Sequence, residues 1–358
     1  MTKTPMTKTG DFALRNFWYL VAPGHAVPPG RTLAKRLADE PILLGRTRGG
    51  EVFALRDVCP HRGIPLRYGH FDGHEIACCY HGWTFAADGR CTGIPSLVEN
   101  EDFDVGRIKV RAYPCREVQG NIWVFLPRGK GRGGLDEAAL PAVPRIPGFA
   151  DVAPQVAISL TFPCHVEHAA FGLMDPAHVH YVHRAWWWKR RRRALRLKEK
   201  AFEQTPLGWR MARHRLPSEN LVYKLLGRNV TTEISFDMPG LRIEEIRGDA
   251  HRVVSVTALT PVTATETEVH HCLYWSMPWM APLKPVARRM ATKFLSQDQE
   301  MAIRQSEGLA DDPPLMLVGD ANAQSKWFAQ FKREWQRAEA EGRPFENPVQ
   351  TRTLRWYS

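Results

Sequence analysis

The chain has 358 residues, with 49 Lys and Arg against 38 Asp and Glu, so its formal net charge is +11. Hydrophobic residues make up 44% and charged residues 24%, an ordinary globular composition that excludes disordered and fibrous proteins. No run of about 18 apolar residues suggests a membrane span, and the polar residues 1–10 lack the apolar core of a secretory signal.

The first third of the chain predicts short β-strands separated by Gly, Pro and Asp clusters. These predicted strands are Trp18–Ala22, Ile42–Leu44, Val52–Leu55, Ile76–Cys79 and Ile122–Leu126. A Gly-rich basic stretch at 127–134 is typical of a linker. We therefore expect an N-terminal domain over residues 10–130 and a second domain over residues 131–358.

The second domain predicts an α+β fold, an antiparallel sheet with helices before and after it. Helical patterning covers His165–Arg184, and the last part predicts helices over Leu283–Leu309 and Asp320–Glu341. The predicted strands between them include Ala157–Phe162, Thr231–Phe236, Val253–Leu259 and Val269–Trp275.

Four of the seven cysteines fall between Cys59 and Cys91, close to histidines, which favours metal binding over a disulfide scaffold. The pattern is Cys59-Pro-His61 and then Cys78-Cys-Tyr-His81, two loops that each offer one thiolate and one imidazole. This donor set suits a [2Fe–2S] cluster with two cysteine and two histidine ligands. Zinc is the alternative metal, but the Cys-x-His spacing is tighter than in zinc fingers and no His-x3–5-His follows.

Cys-Pro-His-Arg-Gly at 59–63 and Tyr-His-Gly-Trp at 80–83 resemble the signature of Rieske [2Fe–2S] proteins, specifically of Rieske non-haem iron oxygenases. The resemblance implies that Cys59 and Cys78 hold one iron and that His61 and His81 hold the other. Cys79 stands where the family commonly has proline, and we expect it to be a packed neighbour. The remaining cysteines are expected to be small buried residues: Cys91, Cys115, Cys164 and Cys272.

The segment 172–183 contains Asp175, His178, His180 and His183. Two imidazoles and a distant carboxylate form the facial triad of non-haem Fe(II) oxygenases. On an ideal helix, spacing alone favours His180 and His183, because His178 lies about 140° from His183. The family's Asp-x2-His-x4-His pattern instead implies His178 and His183 as the ligands, on a helix distorted around the metal.

The resemblance also implies that Asp175 bridges the mononuclear site, through His178, to a Rieske histidine of the neighbouring subunit, His81. A carboxylate fits that role because it can accept hydrogen bonds from two imidazoles. A helix-capping role before Pro176 is the alternative.

The third iron ligand is expected far downstream, on the predicted helix Leu283–Leu309. The Gln-Asp pair at 297–298 resembles the family's ligand position, which implies Asp298. Glu300 and Glu307 are rivals, and a solvated helix face is the structural alternative.

The run Trp186–Arg193 (Trp-Trp-Trp-Lys-Arg-Arg-Arg-Arg) is the most basic part of the chain. A solvated surface is one interpretation. The others are a docking site for an acidic reductase or ferredoxin and a contact with a membrane surface. We expect no nucleic-acid partner.

The resemblance covers nearly the whole chain and favours the single-subunit type of dicamba O-demethylase, vanillate demethylase and pheophorbide a oxygenase. It implies an all-β Rieske domain followed by a helix-grip-like sheet that holds a mononuclear Fe(II). It further implies a cytoplasmic homotrimer that takes electrons from NAD(P)H through a separate reductase.

The expected reaction is monooxygenation, either hydroxylation or oxidative demethylation, of a hydrophobic and multi-ring or lipid-like substrate with O2. Support comes from Gly172, where relatives often carry Asn, and from the apolar strand residues Ile234, Phe236 and Ile243. The alternatives are an aromatic-ring dioxygenase, a Rieske electron carrier without oxygenase activity, and a zinc-stabilised basic binding protein.

Overall fold

The structure, a computed structural model, describes residues 12–98, 103–129, 137–183, 195–216 and 225–358. It divides into two compact units. The first is Arg15–Arg145 with Ala150–Ala153, and the second is Ile146–Phe149 and Pro154–Ser358 with residues 12–14. The predicted boundary at residue 130 falls where the described residues stop, and it stays a prediction.

The first unit is built from short antiparallel strands in three sheets, as the alternating apolar segments and turn residues predicted. The sheets have the orders β1-β11-β10, β2-β3-β4-β9 and β5-β6-β7-β8. The strands are β1 (Phe17–Pro23), β2 (Arg31–Leu37), β3 (Glu40–Arg46), β4 (Val52–Arg56), β5 (His70–Phe71), β6 (Glu75–Ala77), β7 (Thr84–Ala86), β8 (Cys91–Gly93), β9 (Ala112–Tyr113), β10 (Cys115–Val118) and β11 (Asn121–Leu126).

The second unit contains an eight-stranded antiparallel sheet in the order β12-β18-β17-β16-β15-β14-β13-β19. Its strands are β12 (Val156–Phe162), β13 (Leu197–Thr205), β14 (Gly208–Arg215), β15 (Thr231–Asp237), β16 (Leu241–Arg247), β17 (Arg252–Thr263), β18 (Glu266–Trp275) and β19 (Arg352–Tyr357). Its helices are α1 (Val166–Met174), α2 (Val179–Val182), α3 (Lys284–Leu309) and α4 (Ala323–Glu341). The α+β prediction is confirmed.

Buried polar contacts fix α1 relative to the sheet and α4. Lys332 of α4 pairs with Glu167 of α1 at 2.6 Å, and both side chains are largely buried. Gln324 accepts a hydrogen bond from the Trp209 indole at 2.9 Å and donates to the carbonyl of Met174, the last residue of α1, also at 2.9 Å. These contacts hold the end of α1 in place, where the segment 175–183 begins.

Within the described residues, no helix is long and apolar enough to span a membrane.

Candidate metal centres

The two Cys/His loops, 59–64 and 78–83, have the same backbone hydrogen bonds. In each, the cysteine N–H donates to the carbonyl five residues later at 2.8 Å. The N–H of the glycine four residues after the cysteine donates back to the cysteine carbonyl at 3.0 Å. These glycines, Gly63 and Gly82, have φ values of 75° and 69°, a left-handed conformation that glycine adopts without steric cost. The fold therefore presents the two loops as a matched pair.

The side chains of the loops separate into a buried thiol pair and an exposed imidazole pair. Cys59 and Cys78 are buried free thiols, whereas the rings of His61 and His81 lie at the surface with centroids 4.5 Å apart. His61 also stacks on the Trp83 indole at 4.5 Å. The donor set fits a Rieske cluster, with the sulfur-bound iron inside and the histidine-bound iron outside.

Electrostatics at Cys59 disfavour an unliganded thiolate. The pKa of the Cys59 thiol is raised to about 11, chiefly by burial; the backbone N–H of His61 donates to its sulfur and acts in the opposite direction, and the adjacent Cys78 thiol adds to the rise. Thiolates become favourable here when positive iron lies beside them.

The remaining cysteines give one correction. Cys91, Cys115, Cys164 and Cys272 are buried and form no disulfide, as predicted. Cys79 is exposed, so the prediction that it packs inside the domain is wrong. Strand β6 ends at Ala77, and therefore Cys79 lies on the loop and not on the predicted strand Ile76–Cys79.

A second cluster of metal-ligand type consists of His178, His183 and Asp298, whose ligand atoms all lie within 4.8 Å of one another. His178 precedes α2, His183 follows it, and Asp298 lies on α3. The Nε2 atoms of His178 and His183 are 3.6 and 3.4 Å from the same Asp298 Oδ1. Two imidazoles and one carboxylate facing a common point suit a facial triad.

Neighbouring groups orient both imidazoles. His178 Nδ1 is 2.8 Å from the Asp175 carbonyl oxygen, and His183 Nδ1 is 3.2 Å from Gln297 Oε1. The His183 ring also stacks on Phe294 at 3.8 Å. A hydrogen bond at Nδ1 leaves Nε2 with its lone pair, as metal binding requires. His183 Nε2 is buried and has no hydrogen-bond partner among the described residues, so a cation here would satisfy it.

Burial shifts the ionisation of the triad. It raises the pKa of Asp298 to about 7, with Arg242 acting in the opposite direction, and lowers the pKa of His183 to about 4. The imidazole is therefore neutral near pH 7, the form that binds metals. A divalent cation would return the Asp298 carboxyl to its ionised form, because a nearby positive charge stabilises the carboxylate. The residues present fit a mononuclear iron.

The structure also explains why ideal helical spacing pointed to His180. Helix α2 is only four residues long, and His183 has left it with ψ of 84°, so a count of 100° per residue does not apply across the segment. His180 is exposed beside Tyr181. Of the rival carboxylates, Glu300 is exposed and paired with Arg304, and Glu307 is exposed.

Asp175 lies at the turn between α1 and α2. Its Oδ1 accepts a hydrogen bond from the Ala177 N–H at 2.7 Å, and its backbone carbonyl contacts His178. The expected carboxylate contact with His178 is thus replaced by a backbone contact, because the carboxylate closes the turn. The link from Asp175 to His81 of a neighbouring copy stays a prediction.

The triad lies at the wall of a large cavity between α1, α3 and the sheet. Ile234 and Phe236 line it, as predicted, but Ile243 does not. Ile243 follows the cavity-lining Arg242 in β16, and successive side chains of a strand point to opposite faces. Sequence reasoning missed Arg242, because it is one of four charged residues in β16 (Leu-Arg-Ile-Glu-Glu-Ile-Arg) and its charge does not distinguish it. The predicted segment Trp186–Arg193 lies outside the described residues.

Comparison with known proteins agrees with this geometry. The family model described as "Rieske [2Fe-2S] domain" matches residues 17–114, and the one described as "Vanillate O-demethylase oxygenase C-terminal domain" matches residues 162–327. The chain belongs to the Rieske non-haem iron oxygenases. Members of this family use a [2Fe–2S] cluster and a mononuclear iron.

Individual relatives within this oxygenase family are distant. The chain is 34% identical over 170 residues to a 4β-methylsterol monooxygenase of Methylococcus capsulatus, covering 47% of this chain and 44% of that one. It is 32% identical over 172 residues to a chlorophyllide a oxygenase of Chlamydomonas reinhardtii, covering 48% and 24%. The chain thus spans less than half the length of these relatives.

A solved structure extends the likeness in fold over most of the chain. Dicamba monooxygenase bound to dicamba matches with a TM-score of 0.70, covering 91% of this chain and 98% of that one. The sequence identity is 21%, so this match concerns the fold alone.

Proposed function

We propose that the chain is the terminal oxygenase of a Rieske system, which takes electrons from NAD(P)H through a separate reductase or ferredoxin. It would use O2 to hydroxylate or oxidatively demethylate a hydrophobic substrate. The observation that carries the proposal is the meeting of His178, His183 and Asp298 at the wall of a cavity, in a chain with two matched Cys/His loops.

The proposed ligands follow the two clusters. Cys59, His61, Cys78 and His81 would hold the [2Fe–2S] cluster, and His178, His183 and Asp298 would hold the iron. When bound, these groups supply single electrons and the activation of O2. The chain's own part is orientation, because Gln297 and the Asp175 carbonyl fix the rings of the two imidazoles that would hold the iron.

The proposed substrate is apolar and multi-ring. The cavity is lined largely by aliphatic and aromatic side chains, including Ile234, Phe236 and Trp275. Two relatives are named for a methylsterol and for chlorophyllide a, both of them multi-ring molecules. The match to a vanillate O-demethylase domain supports single-oxygen chemistry.

We propose a head-to-tail homotrimer in which Asp175 of one copy meets His81 of the next. Asp175 is half-buried and His81 is exposed, so both can face a partner. The free cysteines support a reducing, cytoplasmic compartment.

Peripheral membrane contact is the last part of the proposal, and it rests on an apolar rim formed by Trp279, Leu283, Val286 and Met290. These side chains are 37% to 55% exposed, and Met290 also lines the cavity. Residues 269–297 contain four Lys and Arg, at positions 284, 288, 289 and 293, and no Asp or Glu, so the formal charge of this segment is +4. Exposed Trp and apolar residues among cations fit an anionic lipid surface.

The test is a single turnover with ¹⁸O2. Reduced protein is mixed with a panel of 4-methylsterols, O-methylated aromatics and tetrapyrroles, and the oxygen in the products is followed by mass spectrometry. We expect one ¹⁸O atom per turnover, and no product from the Asp298→Asn variant. Two ¹⁸O atoms in one product would identify a dioxygenase, and reoxidation without any product would favour an electron carrier.

A further inference from the structure

A row of polar side chains crosses the cavity face of the sheet. Arg242 of β16 is the register partner of Thr257 of β17, and Thr257 is the partner of His271 of β18. All three residues line the cavity. Directly opposed residues in antiparallel strands share a face with Cβ atoms about 4.5–5.5 Å apart. Arg242, Thr257 and His271 therefore form one continuous group, called here the polar row.

The polar row stands out against its surroundings. The other cavity-facing positions of the same strands are mainly apolar: Ile246, Val253, Leu259, Val269, Leu273 and Trp275. Ligand sites of this composition bind the body of a ligand by apolar contact and orient it through a few polar groups.

The polar row and Glu244, which lies two residues after Arg242 on β16, together carry no net charge. Arg242 Nη2 donates to Glu244 Oε2 at 3.0 Å, so the guanidinium is already balanced. His271 is buried, and its Nδ1 lies 2.9 Å from Thr257 Oγ1. Burial, followed by the charge of Arg242, lowers the pKa of His271 to about 4, so the imidazole is neutral near pH 7.

The polar row is also close to the triad. His178, His183 and Asp298 line the same cavity as the polar row. A group held by the polar row would therefore share this cavity with the proposed iron ligands.

We propose that the polar row anchors the substrate through a neutral oxygen, a hydroxyl or carbonyl group, on an otherwise apolar ring system. This inference rests on the proposed function and narrows its substrate class. A hydroxyl can accept from Arg242 and donate to Glu244. A carboxylate would add a buried charge beside a pair that is already balanced, which is unfavourable without a further cation.

The test compares two probes that have the same ring system and the same length of carbon side chain. 1-Pyrenebutanol and 1-pyrenebutyrate differ only in the terminal group, alcohol or carboxylate. Their dissociation constants are measured by fluorescence anisotropy on anaerobically purified holoprotein. We expect the wild type to bind the alcohol at least about tenfold more tightly, because a buried polar site discriminates strongly between groups that do and do not satisfy it.

Two variants and one control sharpen the test. Glu244→Gln leaves Arg242 unbalanced and should reverse the preference toward the carboxylate, while Arg242→Met should weaken binding of the alcohol by about tenfold. Glu233→Gln is the control, since Glu233 pairs with Arg213 and does not line the cavity; it should behave as wild type.

The outcomes separate this inference from the proposed function. Equal or tighter binding of the carboxylate by wild type, an unchanged preference in Glu244→Gln, or no binding of either probe would overturn the anchor. Iron and acid-labile sulfide are measured on the same samples. A preference for the alcohol in protein that cannot take up the mononuclear iron would support the anchor while contradicting the oxygenase.

Discussion

The two triad histidines are held by contacts of different kinds. His178 bonds a backbone carbonyl, whereas His183 bonds the Gln297 side chain and stacks on Phe294. A backbone partner survives any substitution of the residue that provides it. Substitution at Asp175 can therefore remove the carboxylate and leave the hydrogen bond to His178 in place.

This separation makes Asp175→Asn an informative variant. The asparagine oxygen can still accept from the Ala177 N–H, so the turn and both metal centres should persist. If Asp175 carries the link to the neighbouring cluster, electron transfer to the mononuclear iron should slow roughly 10- to 100-fold, as is typical when a group next to a metal ligand is lost. Stopped-flow reoxidation of the reduced cluster measures the rate.

The control is Asp311→Asn, which changes an exposed carboxylate near the end of α3. A wild-type rate in Asp175→Asn, with full iron content, would remove Asp175 from the electron path.

At the scale of elements, the two Cys/His loops depend on a left-handed glycine at the same position. Alanine in this conformation costs about 1–2 kcal/mol. A Cβ at Gly63 would meet no atom within 4 Å, whereas at Gly82 it would lie 3.0 Å from Pro95 Cγ. Gly63→Ala should therefore shorten the lifetime of the cluster moderately, and Gly82→Ala should shorten it more.

The decay of the visible absorbance of the cluster at a fixed elevated temperature measures this lifetime. If both variants keep the wild-type lifetime, the loops tolerate a side chain at these positions, and the left-handed conformation does not require glycine.

The pair Lys332–Glu167 links α4 to α1 and so supports the segment that carries the triad histidines. Lys332→Met leaves a buried carboxylate without a partner, which typically costs about 3–5 kcal/mol of unfolding free energy. The double variant Lys332→Met/Glu167→Leu should recover most of the loss. Urea denaturation followed by tryptophan fluorescence compares the two, and a stable single variant would contradict this role.

The helix prediction over His165–Arg184 shows where sequence reasoning stopped at this scale. The family's Asp-x2-His-x4-His pattern led to His178 and His183 as ligands. The helical periodicity of the sequence, however, runs across Asp175–Pro176 and did not predict the turn that separates α1 from α2. The Asp175 carboxylate closes that turn through the Ala177 N–H, an interaction that hydrophobic periodicity does not record.

At the scale of the whole molecule, the prediction of two domain types and their order was correct, but long-range strand pairing was not predicted. Strand β13 is mostly polar (Leu-Lys-Glu-Lys-Ala-Phe-Glu-Gln-Thr), and its partner β19 lies about 150 residues later in the chain. A polar strand near a sheet edge has little of the alternation that marks a half-buried strand. The sequence also did not predict which face of the sheet carries Ile243, since a shift of one residue along a strand moves a side chain to the opposite face.

The apolar rim leads to a prediction for the intact protein. The wild type should sediment with vesicles of phosphatidylglycerol and phosphatidylcholine, and Trp279→Ser should weaken binding about tenfold or more, because burying a large apolar side chain contributes roughly 1.5–3 kcal/mol. The control is Tyr357→Ser, which changes an exposed aromatic residue on β19 and should bind vesicles like the wild type. Unchanged vesicle binding, or loss of the oligomer in Trp279→Ser, would assign the rim to another role.

The central claim is that one chain holds both metal centres, and the most direct measurement is iron and acid-labile sulfide per chain on anaerobically purified protein. We predict about three iron and two sulfide for wild type. His178→Ala should retain about two iron with two sulfide, and His180→Ala should match wild type. Two iron in wild type even after reconstitution with Fe(II), or loss of the third iron in His180→Ala, would contradict the account.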